Sequence, residues 1–213
     1  DPARIAESYA LFTNLLYLAA YELLHEVSGA SGTSDAAEQL RMAIQSSFVD
    51  NGCAPFIMWP FDGPSAGRVD VLARSLASML GVPCSLSEPL VFEGGLAVLW
   101  PASPEVPIYH NRGTWPFVTA YALRAARIED RGGLFAHLVE DLTRQASLHL
   151  SHMENLDALT GEAFVAAGQN SGPVVNSERQ LWSVAGFLGS VQNEVFGLRL
   201  GPEGLEVQPY VPA

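Results

Sequence analysis

Apolar positions in the first part of the chain recur at helical spacing. Ile5, Tyr9, Phe12, Leu15, Leu16, Ala19 and Leu23 lie three or four residues apart, which predicts a helix from Asp1-Pro2 to about Val27. A Gly/Ser turn over residues 28–34 follows. Asp35 with Glu38 then reads as a capping pair for a second helix to about Phe48. The same periodicity predicts a third helix over residues 66–80, stopped by Gly81. A fourth runs over 115–128, with Thr114 as N-cap and Pro116 in its first turn, where the missing N–H costs nothing. A fifth runs over 134–149. A sixth starts from a capping box at Ser177–Gln180 and reaches about Phe196. Strand-like alternation is confined to residues 96–100 and 205–211.

Six helices joined this way form three pairs, and their connections fall into two kinds. The segments leading into helices two and five are short and plain. Those leading into helices three, four and six (residues 50–65, 107–115 and 151–176) are long and rich in aromatic and polar side chains. In alternating hairpins the helices entered by the long loops point the same way. Their N-termini would line one face, where free N–H groups and the helix dipole favour polar or anionic ligands. No period of the solenoid kind repeats along the chain.

Composition narrows the function. With 213 residues, 48% of them apolar, the chain can bury a sizeable core. A net charge of -12 argues against nucleic acid and against anionic membrane surfaces as partners. All 11 basic residues are arginine, which excludes a catalytic lysine and a phosphate-binding P-loop. The apolar run over residues 15–20 is too short to span a bilayer. Cys53 and Cys84 are compatible with a pair but do not make a disulfide framework. The opening residues already look like the start of a helix, so the expectation is a piece of something longer. Compartment stays open.

The candidate chemistry lies in the long loops. Trp59, Trp100, Tyr109, Trp115 and Trp182 lie in or beside them. Aromatic faces stack on the apolar faces of sugar rings while polar neighbours bond the hydroxyls; the same residues also suit hairpin packing. The carboxylates Asp62, Glu93, Glu154, Asp157, Glu162 and Glu178 are candidates for acid–base work. Glu178 also fits as an N-cap of helix six. Glu154, among His149, His152 and Asn155, has no such capping role; an ordinary loop carboxylate is its other reading. His110, between Tyr109 and Asn111, is the histidine best placed to bond a ligand. His149 and His152 are three apart, but no second ligand pair accompanies them, so neither a metal nor a cofactor is expected. Ser65, Ser177 and Ser183 lack a nucleophile-elbow context.

Several of these segments resemble those of the six-hairpin (α/α)6 glycosidases, the glucosidase I and glycogen-debranching type group. YHNRGTWPFVTAY at 109–121, MENLDALTG at 153–161 and NSERQLWSVAGFLGSV at 176–191 resemble that family's YHN-x-x-WPF, EN-x-x-x-x-TG and NS-D-RQLWS-x-AG segments, in the same order. The closing FGLRLGPEGLEVQPYVP is also similar. The resemblance implies an all-α chain, an (α/α) toroid of helical hairpins amounting to about half of an (α/α)6 barrel, with a short C-terminal strand. Residues 1–213 would be the C-terminal half of a catalytic domain. It implies inverting hydrolysis of an α-glucoside or related oligosaccharide, with Glu154 as general base. Glu178 stands where the family has aspartate. Trp59, Asp62, Tyr109, His110, Asn111, Arg112, Trp115, Glu178, Arg179, Gln180 and Trp182 would line the substrate site. The general acid would lie on an N-terminal segment absent from this sequence, supplied by the same polypeptide or a partner chain. A non-catalytic, all-helical carbohydrate-binding or interaction module is the alternative.

Overall fold

The computed structural model describes residues 8–54, 56–58, 63–64, 67–86, 90–102, 109–163 and 176–212. It is mostly helical, with six α-helices among the described residues and several short antiparallel strand pairs. The chain divides into two compact units, Asp1–Ser85 and Leu86–Ala213.

In the first unit, strand β1 (Ser8–Ala10) runs directly into helix α1 (Leu11–Ser28). The expected first helix therefore does not reach back through Ser8–Ala10. Those residues pair with β2 (Phe56–Met58), Ser8 opposite Met58, and β2 pairs in turn with β3 (Gly63–Pro64). The helical spacing seen in sequence was overridden there by a pairing with a distant segment. Gly29 ends α1 in the left-handed region, φ 65°, with its N–H returned to the His25 carbonyl. Helix α2 (Ser31–Ile44) begins at once and widens into a π-helical turn, Gln45–Val49. It starts ahead of the expected Asp35/Glu38 pair, which therefore caps nothing. After β4 (Val69–Asp70), helix α3 (Val71–Met79) is shorter than expected. Its cap is Asp70, whose carboxylate accepts from the Ala73 N–H at 3.0 Å. Leu11, Leu15 and Leu18 are fully buried. They pack α1 onto α2 and α3 around Ile44, Phe48 and Leu76, each leucine contributing roughly 1.5–3 kcal/mol by burial. Cys53 and Cys84 are joined as a disulfide at the edge of this core.

The second unit opens with a tight hairpin, β5 (Val91–Phe92) and β6 (Gly95–Leu96), followed by β7 (Leu99–Trp100). Strand β8 (Gly113–Thr114) pairs with β9 (Leu156–Asp157). Helix α4 (Pro116–Ile128) carries Pro116 in its first turn, as expected. Its N-cap residue is Trp115, however, and Thr114 belongs to β8. A tight turn leads to α5 (Gly132–His149), and α6 (Leu181–Gly189) continues as a π-helical stretch, Ser190–Val195. No side chain caps α6, so the expected Ser177–Gln180 capping box is not formed. The C-terminal segment forms a hairpin of β10 (Leu198–Gly201) and β11 (Gly204–Val207), so the expected closing strand has a partner.

Helix α4 packs against both α5 and α6. Its inward alanines, Ala122, Ala125 and Ala126, are buried, and their small size lets the neighbours approach closely. A Cβ on Gly186 of α6 would lie 3.1 Å from the Ala120 Cβ and 3.3 Å from the Phe117 Cα. At one end of this pair Phe117 meets Trp182, with ring centroids 5.4 Å apart. At the other, the Arg127 guanidinium donates to the carbonyls of Asn193 and Glu194 at 2.7 Å. First turn thus lies against first turn and last against last, so α4 and α6 run in the same direction with adjacent N-termini.

Candidate functional site

The loops leading into α4 and α6 meet at those adjacent N-termini. Pairing of β8 with β9 ties them together: Gly113 faces Asp157 and Thr114 faces Leu156. Around that ladder the Ala158 N–H donates to the Arg112 carbonyl at 3.1 Å, and the Gln180 N–H to the His152 carbonyl at 2.9 Å. Arg112 adopts a left-handed backbone, φ 70°, which is sterically costly for a residue with a Cβ. Its guanidinium donates to Asp157 Oδ2 at 2.5 Å, and Asp157 Oδ1 accepts the Leu159 N–H at 2.9 Å. Both oxygens of this buried carboxylate are therefore engaged.

Glu154 stands just ahead of β9 and is 8% exposed. Two donors hold its carboxylate. The Tyr109 hydroxyl donates to Oε1 at 2.6 Å, and the Ser177 N–H donates to Oε2 at 3.1 Å. The Glu154 N–H returns a bond to the Ser177 carbonyl at 2.8 Å. Each carboxylate oxygen keeps a lone pair beyond these bonds. Burial, reinforced by the neighbouring Glu154 carboxylate, pushes the Tyr109 phenol up to about 12. Tyr109 therefore stays a hydrogen-bond donor at neutral pH.

A cluster of rings adjoins this pair. The His110 ring stacks on Trp115 at 4.8 Å and 16°, and Tyr109 meets the same indole edge-on at 4.8 Å. The Trp115 Nε1–H donates to the Tyr109 carbonyl at 3.1 Å, fixing the turn that carries Tyr109 and His110. Trp182 lies 6.1 Å from Trp115, centroid to centroid, and is half exposed. Desolvation lowers the His110 pKa and the Glu154 charge opposes it; the net direction keeps the imidazole neutral at pH 7, able to donate at one nitrogen and accept at the other.

The candidates from the sequence separate accordingly. Tyr109, His110, Trp115, Glu154 and Trp182 are brought together. Trp115 is 2% exposed and supports the ring cluster from beneath. Asn111 is also buried. Arg112 is committed to Asp157. Glu178 and Arg179 are exposed on the turn ahead of α6, and Gln180 is its N-cap residue. Trp59 and Asp62 lie outside the described residues. Two contributors are not evident from sequence. One is the Ser177 backbone. The other is Asn176, whose side chain accepts from the Asn155 N–H at 3.3 Å and donates to the Asn155 carbonyl at 2.9 Å, closing the loop behind Glu154. A backbone group leaves no mark in a one-dimensional sequence.

A comparison with protein-family models, with curated proteins and with solved structures finds no match for this chain. Among the described residues, no three carboxylate, imidazole or thiol groups are arranged to hold a metal ion, and no helix is long and apolar enough to cross a membrane.

Proposed function

We propose that the second unit carries part of the active site of a glycoside hydrolase, in which Glu154 acts as general base on water in an inverting reaction on an α-glucoside or related oligosaccharide. The observation that carries this reading is the setting of Glu154: a mostly buried carboxylate oriented by Tyr109 and Ser177 and placed beside a ring cluster. A carboxylate so held can take a proton from water without reorienting. Trp182 and His110, the rings with exposed surface, are suited to pack against a sugar and bond its hydroxyls. The sequence resemblance of the three loop segments supports the same reading, and with it the half-toroid arrangement of hairpins.

Inversion needs a second carboxyl far enough away to admit a water. Asp157, the other buried carboxylate of the same loop, is bonded at both oxygens and is not assigned that role. The acid is instead assigned to a segment outside this sequence, in the same polypeptide or a partner chain. Full engagement of Asp157 also favours a second reading, a non-catalytic saccharide-binding module.

Glu154→Gln in a protein carrying the complete barrel separates the two. Loss of turnover by roughly 10²–10⁴-fold, the usual weight of a positioned base, with oligosaccharide binding retained, supports catalysis. Unchanged turnover removes Glu154 from the role. Oligosaccharide binding by the unsubstituted protein with no hydrolysis supports the module.

A further inference from the structure

Helix α1 is apolar on two opposite sides. Leu11, Leu15 and Leu18 face inward and are fully buried. Leu16, Ala20 and Leu24 are spaced by four residues, and Tyr17, Ala20 and Leu23 by three, which puts them together on the side facing away from those leucines. Val27 extends the stripe by one more turn. Its large side chains, Leu16, Tyr17, Leu23, Leu24 and Val27, are 47–79% exposed. A surface helix normally carries polar residues there. This stripe holds no charged residue. The two carboxylates of α1, Glu22 and Glu26, lie off it, and Glu22 is paired with Arg41 of α2.

The stripe is symmetric about Ala20. Leu16 and Tyr17 precede it by four and three residues, and Leu23 and Leu24 follow it by three and four. Such a pattern is complementary to itself. Two copies of the helix laid antiparallel about a two-fold axis at Ala20 bring Leu16 of each against Leu23 of the other, and Tyr17 against Leu24. Ala20 is small enough for the two helices to approach closely at the crossing.

Charge selects the same partner and the same direction. The chain carries a net charge of -12, so its copies repel in general, and the stripe is a face they can share without setting carboxylate against carboxylate. A cationic partner would find no counter-charge on it. Parallel copies would hold Glu26 beside Glu26. Antiparallel copies separate the two by about 18 Å along the helix axes, beyond the screening length of about 8 Å in physiological salt. A contact made by one 18-residue helix is smaller than the roughly 800 Å² per partner of a standard complex, so the association is weak and reversible.

We propose that the outer stripe of α1 is the contact between two copies of this chain, paired antiparallel about Ala20.

The test is sedimentation equilibrium of the full chain at about 0.15 M salt, over about a hundredfold span of micromolar concentrations. The expected result is a reversible monomer–dimer equilibrium. Leu23→Glu sets a carboxylate into the apolar contact twice and weakens the dimer by more than about tenfold. Leu200→Glu, at an exposed position of β10, leaves it unchanged, as does Glu154→Gln. Because Cys53 and Cys84 are joined and no free cysteine remains, Ala20→Cys places one thiol at the crossing. Diamide, which takes up the two thiol hydrogens, should then link the copies through a disulfide. The proposal is overturned by a monomer at every concentration, by an assembly larger than two, by undiminished association of Leu23→Glu, by equal weakening in Leu200→Glu, or by failure of the Ala20→Cys protein to cross-link. None of these outcomes bears on whether Glu154 is a catalytic base, which the turnover experiment decides by itself.

Discussion

The two units solve the problem of a stable interior in different ways. In the Asp1–Ser85 unit the described core is aliphatic and aromatic and closed by a disulfide; its buried polar groups, among the described residues, are Ser75 and the desolvated Asp70 carboxylate that caps α3. The Leu86–Ala213 unit buries Asn111, Thr114, Asp141, Gln145, His152, Glu154, Asn155, Asp157 and Glu194, with others. Apolar burial stabilises without needing partners. Buried polar groups cost stability unless each finds one, and several here, both ring nitrogens of His152 among them, have none among the described residues. An interior of that kind makes sense where side chains are held for chemistry. Among the described residues, the second unit is therefore the one whose interior holds most of the buried polar groups.

The largest expected effect tests the first unit. Cys53→Ser opens a loop with a sequence separation of 31, and loop-closure entropy then predicts a loss of about 3.5 kcal/mol. Urea unfolding should show the first unit weakened. The Tyr109–Glu154 environment, followed by tyrosine absorbance, should not change; if it does, the two interiors are not separable. A smaller effect is expected for Tyr109→Phe in the second unit. It deletes one of two donors to a buried carboxylate and should cost about 1.5 kcal/mol in urea unfolding; under the proposed hydrolase function, turnover should also fall about tenfold. Full stability and full turnover would show that Ser177 alone orients Glu154.

The smallest effect is a difference in sign. Burial lowers the His152 pKa. Its folded value lies below the usual 6.5, so the stability it contributes is present above that pH and lost as the pH falls through the folded value. Asp70 in the first unit behaves oppositely. Desolvation by burial raises its carboxyl above the ordinary 3.8, against hydrogen bonds from Ala73 and Leu72. Its contribution is present below 3.8 and is lost as the pH rises through the folded value. Thermal unfolding between pH 7 and pH 5 should therefore weaken the second unit, and His152→Leu should flatten that slope. An identical slope in the variant would take His152 out of the account.

Local chemistry made part of this architecture legible. Pro116 marks a helix start because its fixed φ and missing N–H suit the first turn, and Gly81 marks a helix end because it takes the left-handed conformation, φ 65°, without a Cβ penalty; α4 and α5 fall close to where periodicity puts them. The aromatic and acidic character of the loops into α4 and α6 drew attention to Tyr109, His110, Trp115, Glu154 and Trp182, which the fold brings together. Capping is less legible. Asp35, Thr114 and Ser177 have the right side chains for N-caps, yet the helices begin elsewhere and Asp70 caps α3. Short polar side chains suit caps, turns and strands alike, so tertiary packing chooses among the uses.

By itself the sequence determined a mostly helical chain, the position of most of its helices and the loops in which reactive side chains are concentrated, because helix periodicity and turn residues act over a few neighbours. Only the tertiary structure decided that Ser8–Ala10 pairs with a strand, that Cys53 joins Cys84, that Arg112 is spent on Asp157, and that Tyr109 and Ser177 together hold Glu154. Each of those depends on partners brought close by folding, and no local rule specifies which distant group will arrive.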